Sequence, residues 1–344
     1  PHTKLITLTS LILGTTLTIS SNHWAMAWAG LEINTIAIIP MISKSHHPRA
    51  IEAAIKYFLV QAAASASILF SSMINAWTLG QWDITQLTNT TSCLLLTTAI
   101  AMKLGLTPFH FWFPEVLQGS SLTTALLLST VMKFPPIAIL LLTFNSLNPP
   151  LLTLMAITST ALGGWMGLNQ TQIRKILAFS SISHLGWMAA IIIYAPKLTL
   201  LAFLLYTLLT STIFLSLNMS NITKLSTLMT SWTKTPALNA TLMLTLLSLA
   251  GLPPFIGFLP KWLIIQELTK QEMTPTALTI ALLSLLSLFF YLRLTYFSSI
   301  TLPPTSVNQT KHWYTYKNTN TLTAILTSLS ILLLPLSPLI LSTI

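Results

Sequence analysis

The chain has 344 residues, 53% hydrophobic and only 6% charged, with 16 basic and 6 acidic side chains for a formal charge of +10. An ordinary soluble domain carries about 25% charged residues, so this ratio excludes a water-facing surface and predicts an all-α polytopic membrane protein without a separate soluble domain. The single cysteine, Cys93, excludes an internal disulfide, a thiolate zinc site and an iron–sulfur cluster held by this chain alone, and the scattered basic residues point to membrane topology rather than nucleic acid.

A spanning helix needs about 20 mostly apolar residues. Such runs fall at 4–21, 24–42, 51–74, 89–118, 121–145, 150–168, 173–194, 198–218, 237–267, 275–297 and 321–342, which predicts about eleven transmembrane helices. The first run follows Lys4 and reads as a retained helix rather than a secretory signal, because further spans follow and nothing marks a cleavage site or an imported-organelle presequence. Lysine and arginine collect on the side from which a membrane chain is inserted. Threading the loops alternately puts Lys4, Lys44, Arg49, Lys56, Arg174, Lys175, Lys224, Lys234, Arg293, Lys311 and Lys317 on one side and only Lys197 and Lys270 on the other. The N-terminus is therefore expected inside and the C-terminus outside. Trp77, Trp82, Trp232 and Trp313 read as interfacial anchors.

Four charges fall within the spans: Glu32 in the second, Lys103 in the fourth, Lys133 in the fifth and Lys261 in the ninth. A charge at the centre of a spanning helix costs about 2.5–3.5 kcal/mol on insertion scales, so each needs a partner, water or a function. A buried glutamate–lysine pair can hold or release a proton as it closes or opens. Glu32, Lys103 and Lys133 lie near the centres of their spans and are expected to meet at one depth. The structural alternatives are an interhelical salt bridge for Glu32 and snorkelling for the lysines.

The fourth and ninth spans are too long and are interrupted at matching places. Residues 105–115 read Gly-Leu-Thr-Pro-Phe-His-Phe-Trp-Phe-Pro-Glu, and residues 251–261 read Gly-Leu-Pro-Pro-Phe-Ile-Gly-Phe-Leu-Pro-Lys. Proline removes a backbone donor and clashes with the preceding turn, so non-helical backbone is expected near 104–108 and 251–256, buried against protein, with freed carbonyls facing protein or water. Broken helices at corresponding positions point to an ion site. His110, inside the first block, and His184, beside Gly186, are relay candidates, although a neutral imidazole in such a place also satisfies a carbonyl. Glu115 reads as a cap of the second half-helix, and Glu52 and Lys56, four apart, as a surface pair.

The blocks Met102–Glu115 and Gly251–Lys261 resemble the antiporter-like subunits of proton-pumping NADH:ubiquinone oxidoreductase, respiratory complex I, and the resemblance covers nearly the whole chain. It implies one membrane domain of two inverted five-helix repeats, about 1–145 and 150–297, with a final helix at about 321–342. Longer bacterial members carry three additional N-terminal helices that have no counterpart in this sequence. The family's glutamate and three lysines match Glu32, Lys103, Lys133 and Lys261, and a polar line Glu32, Lys103, Lys133, His184, Lys261 is expected near the midplane, with Lys261 nearest an exit. The resemblance further implies a multi-pass protein of the mitochondrial inner membrane with its N-terminus in the matrix. Its partners would be neighbouring complex I subunits and lipids, with no nucleic acid.

The sequence has no dinucleotide glycine fingerprint, no cluster cysteines and no haem histidine pair, so no cofactor or metal is expected on this chain. The resemblance assigns NADH, FMN, iron–sulfur clusters and ubiquinone to other subunits. From the residues alone three functions stay open: a redox-driven proton-translocating subunit, a stand-alone cation/proton antiporter, and a scaffold whose charges are structural. The resemblance favours the first.

Overall fold

Helices account for nearly all regular structure in the computed structural model, which describes residues 2–45, 47–232, 235–299, 321–335, 337 and 338. They are α1 (His2–Ser20), α2 (Trp24–Ile42), α3 (Pro48–Leu79), α4 (Thr90–Leu104), α5 (Trp112–Gly119), α6 (Leu122–Ser129), α7 (Phe134–Leu142), α8 (Pro149–Gly167), α9 (Ile173–Ile191), α10 (Pro196–Ser220), α11 (Leu225–Met229), α12 (Pro236–Ala250), α13 (Phe258–Lys270), α14 (Thr274–Ser299) and α15 (Thr321–Leu332). Each apolar run of the sequence lands on a helix or on a pair of interrupted helices. Among the described residues the only β pairing is in two isolated bridges, His23 with Asp83 and Gln172 with Lys224. Lys234, Lys311, Lys317, Trp313 and the C-terminal residues of the last expected span lie outside the described residues.

Local chemistry sets the ends. α3, α7, α8, α10 and α12 each begin with proline in the first turn, where the missing N–H has no intrahelical partner to lose. Asn89 caps α4 and Ser121 caps α6 with side-chain oxygens, as short polar side chains do for unpaired N–H groups. Arg174 donates to the Ser120 carbonyl past α5, and Arg293 donates to the carbonyls of Leu168 and Gln170 past α8. Cations thereby satisfy helix C-termini.

The packing suits lipid rather than water. Large apolar side chains such as Ile6, Ile12, Trp165 and Leu278 face outward, while serines and threonines fill the interior. These hydroxyls turn back on their own helix, as Ser180 does on the Leu177 carbonyl at 2.8 Å. In hydrocarbon, where a hydroxyl finds no water, this local bond keeps it satisfied. α9 is the central helix, with 16 of its 19 residues buried. It can lie against α8 because Gly186 has no side chain: a Cβ there would come within 2.3 Å of the Ser159 hydroxyl.

Both expected breaks are present. α4 ends at Leu104 and α5 begins at Trp112; α12 ends at Ala250 and α13 begins at Phe258. Each first half stops at a glycine in the left-handed region, Gly105 at φ 77° and Gly251 at φ 81°. The first break runs a few residues further than the sequence suggests and is mostly buried. The second is more open, with Pro253 and Pro254 on the surface of the chain, contrary to the expectation of burial. A proline has no N–H to satisfy, so it tolerates an apolar surround. The span 121–145 departs from expectation too. It is broken by a 3-10 turn, Val131–Lys133, before Pro135 and Pro136 open α7, because a proline cannot bond to the turn behind it.

Gly251→Ala is expected to lower the thermal unfolding midpoint of the detergent-purified protein. Its left-handed backbone costs a side-chain-bearing residue about 1–2 kcal/mol, and the new Cβ would come within 2.8 Å of the Lys261 ammonium. An unchanged midpoint would show that the left-handed turn is not required.

Candidate functional site

The first half of the site is built by α2, α3 and α4. Glu32 is partly exposed on α2, and its carboxylate accepts hydrogen bonds from Ser65 of α3 and from the Thr35 hydroxyl at 3.0 Å. Lys103 lies in the last turn of α4 and is only 5% exposed. Its ammonium has no hydrogen-bond partner among the described residues. The two charges act on one another through space, but Glu32 spends its hydrogen bonds on hydroxyls and Lys103 makes none, so the expected pair stands open.

The break beside Lys103 is closed by polar side chains. Trp112, first in α5, donates its indole N–H to the Met102 carbonyl at 3.2 Å, and Gln61 donates to the Lys103 carbonyl at 3.4 Å. These groups satisfy carbonyls that the end of α4 would otherwise leave bare.

Lys133 is 3% exposed and sits in the turn between α6 and α7. It shares a small cavity of about 20 Å³ with Lys103, Thr35, Tyr57 and Gln61. Its ammonium donates to the Tyr206 hydroxyl at 3.2 Å and stands 4.7 Å from the Phe113 ring centre and 5.0 Å from that of Tyr206. Ring faces are negative, so two of them hold a cation where only one oxygen is in reach.

Tyr206 carries the connection into the second half. Its ring centre is 5.6 Å from that of His184 on α9. Tyr206, His184 and Lys261 line a second small cavity of about 30 Å³, together with Leu249, Gly257 and Pro260. Lys261 stands in the first turn of α13 and donates to the Ala250 carbonyl at 2.8 Å. That carbonyl belongs to the end of α12 freed by the break, so the cation meets the negative end of the preceding half-helix.

Five of the six candidate residues therefore fall on one succession: Glu32, the cavity of Lys103 and Lys133, then the cavity of His184 and Lys261. His110 does not join it. It is 1% exposed in the first break, lies against Phe111 with ring centres 4.2 Å apart, and completes no hydrogen bond through either ring nitrogen. Glu115 is also outside the succession. Its carboxylate takes Lys56 at 2.7 Å, and Lys56 in turn bonds Glu52, so the expected surface pair is a triad. Tyr206 is the residue that reading the charges misses. Its one signal is a phenol in the middle of the apolar run 198–218. Chemically, the succession offers ammonium, phenol and imidazole groups in close order, each able to give up or take a proton. Among the described residues there is no group of three His, Cys, Asp or Glu side chains placed to hold a metal.

A family model described as NADH:quinone oxidoreductase/Mrp antiporter, TM, matches residues 21–287, and one described as NADH dehydrogenase subunit 2 C-terminus matches residues 288–341. The chain is 75% identical over 342 residues to NADH-ubiquinone oxidoreductase chain 2 of Struthio camelus, and 74% identical over 342 residues to that of Gallus gallus, covering 99% of each chain in both cases. Among solved structures it is similar to a chain in respiratory complex I from Thermus thermophilus with bound Aureothin. The TM-score is 0.83 with 26% identity, covering 97% of this chain and 80% of that one. A chain of the membrane-bound sulfane sulfur reductase, an archaeal respiratory membrane complex, shares the fold at 18% identity and a TM-score of 0.81, covering 96% of this chain and 72% of that one.

Two substitutions should move stability in opposite directions. Tyr206→Phe leaves the Lys133 ammonium without its oxygen partner and is expected to cost about 1–3 kcal/mol. Lys103→Met removes an unpaired buried cation and is expected to be neutral or stabilising. Thermal unfolding of the purified variants checks both, and a destabilised Lys103→Met beside a silent Tyr206→Phe would contradict the hydrogen bonding described above.

Proposed function

The chain belongs to the transmembrane family shared by NADH:quinone oxidoreductase and Mrp antiporters, and we propose that it works there as a core membrane subunit of respiratory complex I that moves protons while the assembly passes electrons from NADH to ubiquinone. The observation that carries this reading is the hydrogen bond from Lys133 to Tyr206, which links two cavities that otherwise hold separate lysines. The oxidation of NADH and the reduction of quinone belong to the assembly, whose other subunits hold the flavin, the iron–sulfur clusters and the quinone. This chain supplies the proton path within a multi-pass protein of the inner membrane, bordered by other complex I subunits and by lipid.

Glu32, Lys103, Lys133, His184 and Lys261 act as the relay. With the Glu32–Lys103 pair open, the Lys103 ammonium is the least stabilised cation of the set, since it alone has neither a hydrogen bond nor a facing ring. When Glu32 turns from Ser65 and Thr35 toward Lys103, the closed pair holds that proton; when it turns back, the proton is released into the cavity shared with Lys133. Tyr206 receives a proton at its hydroxyl oxygen from Lys133 and gives its own toward His184. Lys261 takes the next place and has the Ala250 carbonyl as the oxygen that holds its charged form. His110, lacking contact with either cavity, serves at most the first break.

Residues 1–145 and 150–297 constitute two inverted repeats, a reading supported by the shared frame of the broken pairs α4–α5 and α12–α13. The excess of basic residues on one side supports placing the N-terminus and the loop between α8 and α9 in the matrix and the C-terminus on the intermembrane side.

In the assembled enzyme, Glu32→Gln and Lys103→Met are each expected to permit assembly while lowering protons translocated per NADH several-fold. If both leave that yield unchanged, the charges are structural and the scaffold reading takes over. Isolation from native membrane in mild detergent should recover the chain with NADH oxidation, whereas cation exchange by the solitary chain would support an antiporter.

Orientation is tested separately. The 299–320 loop should resist protease added from the intermembrane side of intact inner membranes, and cleavage from that side would reverse the topology.

A further inference from the structure

Asn34 of α2 is 1% exposed and carries an amide into the contact between α1 and α2. Its surroundings orient that amide. The nitrogen donates to the Leu11 carbonyl at 2.9 Å and the oxygen accepts from the Thr15 N–H at 3.3 Å, whereas the opposite orientation would set oxygen against oxygen and N–H against N–H. Leu11 and Thr15 supply the carbonyl and the N–H of one rung of the α1 ladder. A side chain laid across such a rung is tied to the backbone of the neighbouring helix, so its place depends on both the height and the rotation of α1.

The two helices leave room for this contact. Gly14 of α1 faces it: a Cβ there would come within 2.7 Å of the Asn34 Cγ and 2.9 Å of the Gly30 carbonyl, and a Cβ on Gly30 would come within 2.9 Å of the Gly14 carbonyl. The rest of α1 gives little grip. Leu5, Ile6, Ile12 and Ile19 face outward, and hydroxyls such as those of Thr15 and Thr18 turn back on carbonyls of α1 itself. Among the described residues, Asn34 is thus the side chain whose polar atoms tie α2 to α1.

Its position relative to Glu32 gives the tie a function. Residues two apart on an α-helix are turned by about 200° from one another, so Glu32 leaves α2 toward Ser65 of α3 while Asn34 leaves it toward α1. Asn34 also lines the cavity of Lys103 and Lys133, as does Thr35, which donates to the Glu32 carboxylate at 3.0 Å. When Glu32 turns toward Lys103, the bond from Ser65 must break. The bonds to α1 take no part in that exchange and stay in place.

We propose that Asn34 is a positioning residue for the relay: by fixing α2 to the α1 backbone it holds the helix still while the Glu32 carboxylate turns, so that charge moves by a side-chain rotation rather than by a slip of the helix. The proposal rests on the relay reading above. Asn34 itself neither gives up nor takes a proton.

The test is the proton yield per NADH of the assembled enzyme in sealed vesicles. Asn34→Leu keeps the branched shape and loses both hydrogen bonds, and Gly14→Ala displaces the amide from the α1 side without touching a relay residue. Each should lower the yield several-fold, by no more than Glu32→Gln does, and the two together by no more than either alone, since both break one contact. In the Glu32→Gln background Asn34→Leu should add nothing, because no carboxylate is left to position. Losses that multiply in either pair indicate general damage to packing and overturn the proposal. An Asn34→Leu enzyme with full yield beside an impaired Glu32→Gln also overturns it and leaves the relay standing. A silent Glu32→Gln removes the relay, and the proposal with it. Should the Asn34 and Gly14 variants fail to assemble, high-resolution maps of the unaltered enzyme decide: an amide across Leu11 and Thr15 whichever way Glu32 points supports the proposal, and an amide that leaves α1 when Glu32 faces Lys103 overturns it.

Discussion

A helix that stops inside a membrane leaves carbonyls that hydrocarbon cannot satisfy, and the arrangement of this site follows from how those carbonyls are covered. At the end of α12 the cover is the Lys261 ammonium, 2.8 Å from Ala250. At the end of α4 it is the Trp112 indole, 3.2 Å from Met102. In both breaks the donor comes from the first turn of the next half-helix, so chain direction alone brings it back to the gap. The two breaks differ in charge. A neutral indole at the first leaves Lys103 unpaired in its cavity, whereas at the second the lysine itself is the cap. One motif frame thereby yields a cation free to exchange its proton and a cation held by an oxygen.

Stability and function pull against one another at these positions. Burying an unpaired ammonium is unfavourable unless water or an opposite charge answers it. Lys133 has an oxygen and two ring faces, Lys261 has a carbonyl, and Lys103 has only the through-space field of Glu32. Glu32 is meanwhile held by Ser65 and Thr35. A site arranged for stability alone would close the pair, and the observed division suits a pair that alternates. The hydroxyls make the open state tolerable, because they give the carboxylate somewhere to go.

Much of this was legible in the sequence, and the portion that was not has a physical cause. Apolar length marked the spans, and proline with glycine marked both broken helices, because those signals are local. The four intramembrane charges stood out because charge is rare in lipid. The interruption at Val131–Lys133 was not read: Pro135 and Pro136 follow it, and a proline shows where a helix must yield without showing how far the chain unwinds. Tyr206, Ser65 and Thr35 escaped because neutral hydroxyls barely alter hydropathy, and their partners lie on other helices. His110 shows the opposite limit. Its place in a break is a sequence fact, but whether the ring faces a cavity depends on neighbours, and here it lies against Phe111.

The meeting of the two cavities at one phenol has a consequence for leakage. Around Lys133 and Tyr206 the walls are aromatic: Phe113 faces the ammonium, and Phe134 packs edge-on against Phe203 with centres 4.7 Å apart. Phe203 in turn lies 6.5 Å from the Tyr206 ring. A continuous water column would let protons pass without regard to the state of Glu32, and aromatic side chains at the junction disfavour such a column. The phenol offers one oxygen and one proton, so passage there is limited to a single exchange at a time. On the relay reading, Lys133 must be protonated before Tyr206 can pass a proton on. The charge of the first cavity, set by the Glu32–Lys103 pair, then governs entry to the second.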